Sequence, residues 1–191
     1  MRLQITKLIA KMEHRYFIAI IPPEPISGNV FQIKEEFATN YNSKGALRSP
    51  AHITLHMPFL WKEEKEEQLI QTLSQFNFSD TTTISLHNFA RFGERVIFLN
   101  VVPNEVLTDM QTKLVRHAKV NLQLFNQDES LRGFHPHITV AFRDLRKQYF
   151  AKAWGEFKNR TFNAEFPLKD FSLLKHDGKQ WNVLHTFALN A

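Results

Sequence analysis

A four-residue string that occurs twice sets the strongest limit on how this chain folds. Residues 52–55 read His52-Ile53-Thr54-Leu55, residues 137–140 read His137-Ile138-Thr139-Val140, and Pro50, Pro58 and Pro136 flank them. In an extended strand alternate side chains share a face. His52 with Thr54, and His137 with Thr139, therefore each present an imidazole beside a hydroxyl, while the intervening isoleucines and the Leu55 and Val140 beyond point to a core. The chain must supply two similar strands in two similar settings, each carrying half of a polar site.

The settings do match. Tyr16 to Ile21 is a continuous apolar run closed by Pro22-Pro23, as expected of a buried strand and turn. Ile26, Val30, Ile33 and Phe37 then recur at helical spacing and leave Lys34, Glu35 and Glu36 for solvent, before a polar loop to Ser49 and the first motif. The same order returns with Val96 to Val102, Pro103, a helix capped by Asn104 (Leu107, Met110, Leu114, Ala118), a polar loop and the second motif. Pro22 precedes His52 by 30 residues and Pro103 precedes His137 by 34, so lengths agree as well as order.

Between the copies, Glu63 to Phe76 reads as a helix and Thr83 to Phe89 as a strand forming a hairpin with Val96 to Val102 through Gly93. After the second motif come a helix from Asp144 to about Trp154 and strands at Leu168 to Leu174 and Trp181 to Leu189, separated by Asp177-Gly178. The expected class is α/β of the α+β type: one bilobal domain over residues 15–191, preceded by an extension, residues 1–14. Its two pseudo-symmetric lobes each hold a small, mainly antiparallel sheet and two helices, and face one another across a cleft.

Composition supports this scale. The 191 residues are 43% apolar with 18 phenylalanines, enough for one well-filled domain, and no apolar run approaches the roughly 20 residues of a membrane span. The lack of cysteine excludes disulfides and thiolate metal sites and fits a cytoplasmic setting. A net charge of +5 favours a polyanionic partner such as RNA. A cleft completed within one chain is expected of a monomer.

Two histidines approaching a cleft from opposite sides suit in-line displacement at phosphorus. One neutral imidazole takes a proton from the attacking oxygen and the other, protonated, gives one to the leaving oxygen. The threonine hydroxyls can donate to the non-bridging oxygens, and no metal or other cofactor is required.

Paired His-x-Thr-hydrophobic motifs 85 residues apart, together with Arg95-Val96-Ile97-Phe98-Leu99 opening the second half, resemble the 2H phosphoesterase superfamily, especially its 2′-5′ RNA ligase-like and cyclic phosphodiesterase branches. The resemblance covers about Arg15 to the end. It implies a bilobal fold and metal-independent action on 2′,3′-cyclic phosphates or 2′-5′ linkages of RNA ends or small nucleotides, with His52, Thr54, His137 and Thr139 as the site. By the same analogy His52 is the general acid and His137 the base in hydrolysis. A basic residue that follows the second motif in the family is matched by Arg143, one residue later, which strand alternation would keep on the face of His137 and Thr139.

Further candidates lie around the motifs. Lys44, Arg48 and Arg132 sit in the preceding loops within reach of phosphates, and Tyr41, Phe59, Phe134 and Phe142 are candidates for stacking on a base. Two rival functions are carried forward. One is an RNA-end binding module without turnover. The other is a metal-dependent hydrolase in which His56 and His135, on the alternating faces of His52 and His137, complete a four-histidine site.

Overall fold

Strand β1 (Glu13–Ile20) sorts the molecule into two faces. Tyr16, Ile18 and Ile20 point into the main core, whereas Phe17 and Ala19 form a separate small cluster with Leu174 on the opposite side. In this computed structural model, which describes residues 13–126 and 133–189, that second face packs against the His52 ring.

The chain continues through α1 (Ile26–Tyr41), β2 (Ile53–Lys62), α2 (Glu66–Ser74), the hairpin β3 (Thr83–Phe92) and β4 (Val96–Val101), and α3 (Glu105–Leu122). It closes with β5 (His137–Ala141), α4 (Lys147–Phe157), β6 (Asn163–Pro167), β7 (Asp170–His176) and β8 (Trp181–Ala188). Asn104 begins α3 as its spacing predicts, its side-chain oxygen accepting the Leu107 N–H at 2.9 Å.

Two four-stranded antiparallel sheets result, in the orders β2-β1-β7-β8 and β5-β4-β3-β6. Each motif strand is an edge strand beside the central strand that precedes it in sequence, so the repeat is real at the level of topology. Its lobes, however, are not consecutive halves of the chain. The strands after the second motif, β7 and β8, return to the first sheet instead of completing the second, and β6, absent from the strands expected above, takes the edge beside β3.

The helices also cross over. α1 follows a strand of the first sheet yet lies against β5 and α4, where the Phe37 and Phe157 rings pack in a tilted pair at 4.4 Å and Tyr41 donates to Glu156 at 2.6 Å. α3 follows a strand of the second sheet yet lies against β2, where the Gln111 amide donates to the Leu55 carbonyl at 3.0 Å. Each sheet thus has two helices, as expected, but each half of the chain lends one to the other. A single continuous core runs through both sheets, which fixes the two sheets relative to each other.

Candidate active site

β2 and β5 lie side by side where the two sheets meet. Their histidines are held in the same way. Nδ1 of His52 is 2.8 Å from the Pro50 carbonyl, and Nδ1 of His137 is 2.7 Å from the His135 carbonyl, each two residues upstream. A carbonyl only accepts, so both Nδ1 atoms carry hydrogen and both Nε2 atoms, which have no hydrogen-bond partner among the described residues, are left to exchange a proton with a ligand. Each ring also packs on a phenylalanine of the adjacent central strand: His52 on Phe17 and His137 on Phe98, with centroids 4.9 Å apart in both pairs.

Thr54 and Thr139 are half-buried beside them, opposite Ala19 and Phe98 in the strand register. Directly opposed residues share a face, so both hydroxyls stand on the cleft side with the imidazoles. The four motif residues are thus carried by two edge strands in contact with each other.

Both imidazoles are electrostatically disfavoured as cations. Burial pushes His52 down to about 4, opposed by its bond to the Pro50 carbonyl and reinforced by the charges of Lys34 and His137. Burial lowers His137 as well, against the pull of the His135 carbonyl and with the charge of His135. A bound phosphate would favour both cations and reverse these shifts.

Lys34 is the residue that helical periodicity misplaced. Expected in solvent, it is 1% exposed, because α1 runs under the loop before β2 and packs on the second sheet at the same time. Its ammonium donates to the carbonyls of Ser49 and Pro50 at 3.0 and 3.1 Å, and burial lowers it to about 8. Pro50 is the residue whose carbonyl orients His52. The only sequence signal was a lysine one position from Ile33, on the border of the apolar stripe.

His56 is a correction to the four-histidine reading. The register runs Ala19 with Thr54 and Ile18 with His56, so an irregularity at Leu55 turns His56 to the face of core residue Ile18. It is 1% exposed, with Nδ1 donating to the Met57 carbonyl and its ring edge-on to Phe59. His135 is on the other side of the sheet junction, exposed, with its ring 6.2 Å from that of His137. No group of three or more histidine, aspartate or glutamate side chains suited to a metal occurs among the described residues.

The remaining candidates divide. Arg48 ends a short 3-10 turn (Gly45–Arg48) before β2 and is exposed, close enough to His176 of β7 for its charge to act there. Arg143 is not on the β5 face: the strand ends at Ala141, and Arg143 adopts a left-handed φ of 59° with its guanidinium 5.2 Å from the Phe142 ring. Phe134 is half-buried and lines, with His135, Asn100 and Thr108, a groove of about 610 Å³ that runs beside His137 and not between the two histidines. Arg132 lies outside the described residues. Tyr41 is sealed in the core by its bond to Glu156, and Phe59 packs on Tyr16, so neither faces a ligand.

A contact between sequence-distant loops fixes the Arg48 turn. The Asp144 carboxylate, just after β5, accepts from Ser43 Oγ at 2.9 Å, Lys44 N at 2.7 Å and Gly45 N at 2.8 Å. A Cβ on Gly45 would stand 3.1 Å from that carboxylate, so glycine suits the close approach.

Comparison with known proteins agrees with this architecture. A phosphoesterase-named protein of Bacillus mycoides is 26% identical over 176 residues, covering 90% of this chain and 95% of its own. One of Bacillus cereus is 27% identical over 178 residues with the same coverage. Among solved structures, Escherichia coli LigT superposes with a TM-score of 0.66 at 20% identity over 94% of this chain and all of its own. TT0787 of Thermus thermophilus superposes with 0.61 at 18% over 93% and 98%. The sequence profile of the 2′-5′ RNA ligase superfamily matches residues 22–180, and with that span the chain belongs to this phosphoesterase superfamily.

Proposed function

We propose that the protein is a metal-independent phosphodiesterase acting on 2′,3′-cyclic phosphate or 2′-5′ phosphodiester linkages of RNA ends or small nucleotides. The observation that carries this reading is the matched pair of imidazoles, each anchored through Nδ1 to a carbonyl two residues upstream and each free at Nε2. E. coli LigT has been crystallised with 3′-AMP, a nucleotide monophosphate of the kind such a cleft would release.

In the proposed hydrolysis the neutral imidazole of His137 removes a proton from water at Nε2 as the water oxygen attacks phosphorus. The imidazolium of His52 gives its Nε2 proton to the departing ribose oxygen on the opposite side, leaving a phosphate monoester. Thr54 and Thr139 donate to the non-bridging oxygens as charge grows on them. The two sites are built alike, so the roles exchange when the reaction runs toward ligation. Both imidazoles are neutral in the free cleft near pH 7, and the anionic substrate itself raises the one that must be protonated.

The test is a panel of 2′,3′-cyclic nucleotides, cyclic-phosphate-ended RNA, 2′-5′ oligonucleotides and ADP-ribose cyclic phosphate, assayed with and without chelator. Turnover of at least one, insensitive to chelator and lost in the His52→Ala, His137→Ala double variant, is expected. Tight binding of all without product would instead favour an RNA-end binding module.

A further inference from the structure

The cleft wall of the first sheet carries basic side chains that the two-histidine chemistry leaves unused. Arg15 of β1 is two residues before Phe17, roughly 7 Å along the strand, and therefore on the same face as the ring that supports His52. Phe17 contacts Trp181 of β8 at 4.6 Å, Trp181 contacts His176 at 4.9 Å, and the Arg15 guanidinium sits 5.6 Å from the Trp181 ring and 3.4 Å from His176. A continuous path of contacts thus leads from His52 to a basic group at the far end of the same wall.

That group is poised for an anion. His176 Nδ1 accepts the Gly178 N–H at 3.0 Å, so in the neutral ring the hydrogen is on Nε2, which lies 3.4 Å from the Arg15 guanidinium. Burial and the charge of Arg15 hold His176 below its usual range, with the charge of Asp177 acting against them and that of Arg48 with them. Neither arginine pairs with a carboxylate among the described residues. Nearby carboxylates are engaged elsewhere: Glu63 and Glu66 pair with Lys175 on the opposite face of β7, and Asp177 is occupied by the N–H groups of Lys179 and Gln180 and the Asn182 amide. Two arginines against the one carboxylate, Asp177, whose charge acts on this imidazole leave a surplus of positive charge that suits a phosphate.

We propose that Arg15, Arg48 and His176 form a second phosphate subsite on the His52 side of the cleft, so that the preferred ligand carries a phosphate beyond the one that reacts. The inference rests on the reading of the cleft as a phosphodiesterase site and adds its substrate class: either a nucleotide with a second terminal phosphate or an RNA end whose next internucleotide phosphate occupies the subsite. Trp181, between the two anion positions, spans the intervening nucleoside with its apolar edge.

Calorimetric binding to the full chain distinguishes these cases without requiring turnover. The ligands are adenosine 3′-phosphate, adenosine 3′,5′-bisphosphate and the 3′-phosphorylated dinucleotide of adenosine. At least one two-phosphate ligand is expected to bind about tenfold or more tightly than the monophosphate, and which one does so identifies the source of the second phosphate. In the exposed-site variants Arg15→Gln and Arg48→Gln that advantage falls about tenfold. No advantage for either two-phosphate ligand, or an equal loss on all three in both variants, overturns the subsite. A retained advantage in a protein that turns over none of the panel substrates would instead leave the subsite standing and remove the catalytic reading.

Discussion

Lys34 and His52 donate to the same atom, the Pro50 carbonyl oxygen, at 3.1 and 2.8 Å. One helix thereby reaches the geometry of a histidine on a strand of the other sheet. The buried ammonium pins the carbonyl that fixes the imidazole tautomer, and its charge also opposes protonation of that imidazole.

Lys34→Met keeps a long apolar stem but leaves the Ser49 and Pro50 carbonyls without their donor. The loss of buried partners costs about 1 to 3 kcal/mol, partly offset by removing a buried charge. The expected kinetic result is a fall in kcat of about tenfold, for a hydrogen-bond loss of about 1.4 kcal/mol in the oriented site. The kcat/KM profile should also move to higher pH, because a cation that disfavours His52 protonation is gone. A purely structural lysine would lower stability and leave the pH profile in place, and that outcome would remove the positioning role.

His52→Ala and His137→Ala are each expected to reduce kcat by about 10² to 10⁴. The double variant should lose little more than the worse single one, because two groups that act on one proton-transfer sequence are not additive. Both histidines are half-buried at the edges of their sheets and outside the main core, so circular dichroism and thermal melting should remain close to the parent. Full activity in either single variant on a verified substrate would sink the acid and base assignment.

The two strands that carry these histidines were legible because a period of two, flanked by prolines, needs no tertiary information. The same holds for α1 and α3, whose buried residues Val30, Ile33, Phe37 and Leu107, Met110, Leu114 are those that their spacing indicates. What could not be read was which sheet each apolar stripe would cover. Periodicity defines a face and not its partner, so the exchange of α1 and α3, the return of β7 and β8 to the first sheet, and the burial of Lys34 were all hidden. Arg143 and His56 failed for a related reason: strand alternation holds only until a strand ends, as at Ala141, or slips, as at Leu55.

Dependence on pH follows from the depressed imidazoles. Since kcat/KM reports the free enzyme, its bell should have both limbs below about 6.5, the ordinary histidine value, with the acid limb near the His52 value of about 4. In kcat, where the phosphate anion is bound, both limbs should move to higher pH. Steady-state kinetics between pH 4 and 9 check this, and an alkaline limb of kcat/KM above 7 would contradict the burial of both rings.

Asp144→Ala removes the acceptor of three hydrogen bonds from Ser43, Lys44 and Gly45 and frees the turn that carries Arg48. These are charge-assisted bonds at an exposed loop, so the expected cost in stability is about 1 to 2 kcal/mol. If Arg48 holds phosphate, KM should rise several-fold while kcat changes less, because the two histidines keep their own anchors. Equal loss in kcat with constant KM would mean that Asp144 acts on the reacting groups instead.

His56→Phe separates the core histidine from the chemistry. The substitution keeps a ring against Phe59 and removes an Nε2 that is buried without a hydrogen-bond partner, at the loss of the bond to Met57. These effects nearly cancel near neutrality, within about 1 kcal/mol. They do not cancel in acid. Burial lowers the folded-state value of His56, so as pH falls below about 6.5 the unfolded chain takes up a proton that the folded chain refuses, and stability is lost. Phenylalanine has no such proton. Urea denaturation at pH 7.5 and pH 5 should therefore show a smaller acid loss in the variant than in the parent, with phosphodiesterase activity and chelator resistance retained. Parallel pH slopes would place His56 outside the core, and loss of activity would return it to the site, where a metal-binding role would again have to be considered.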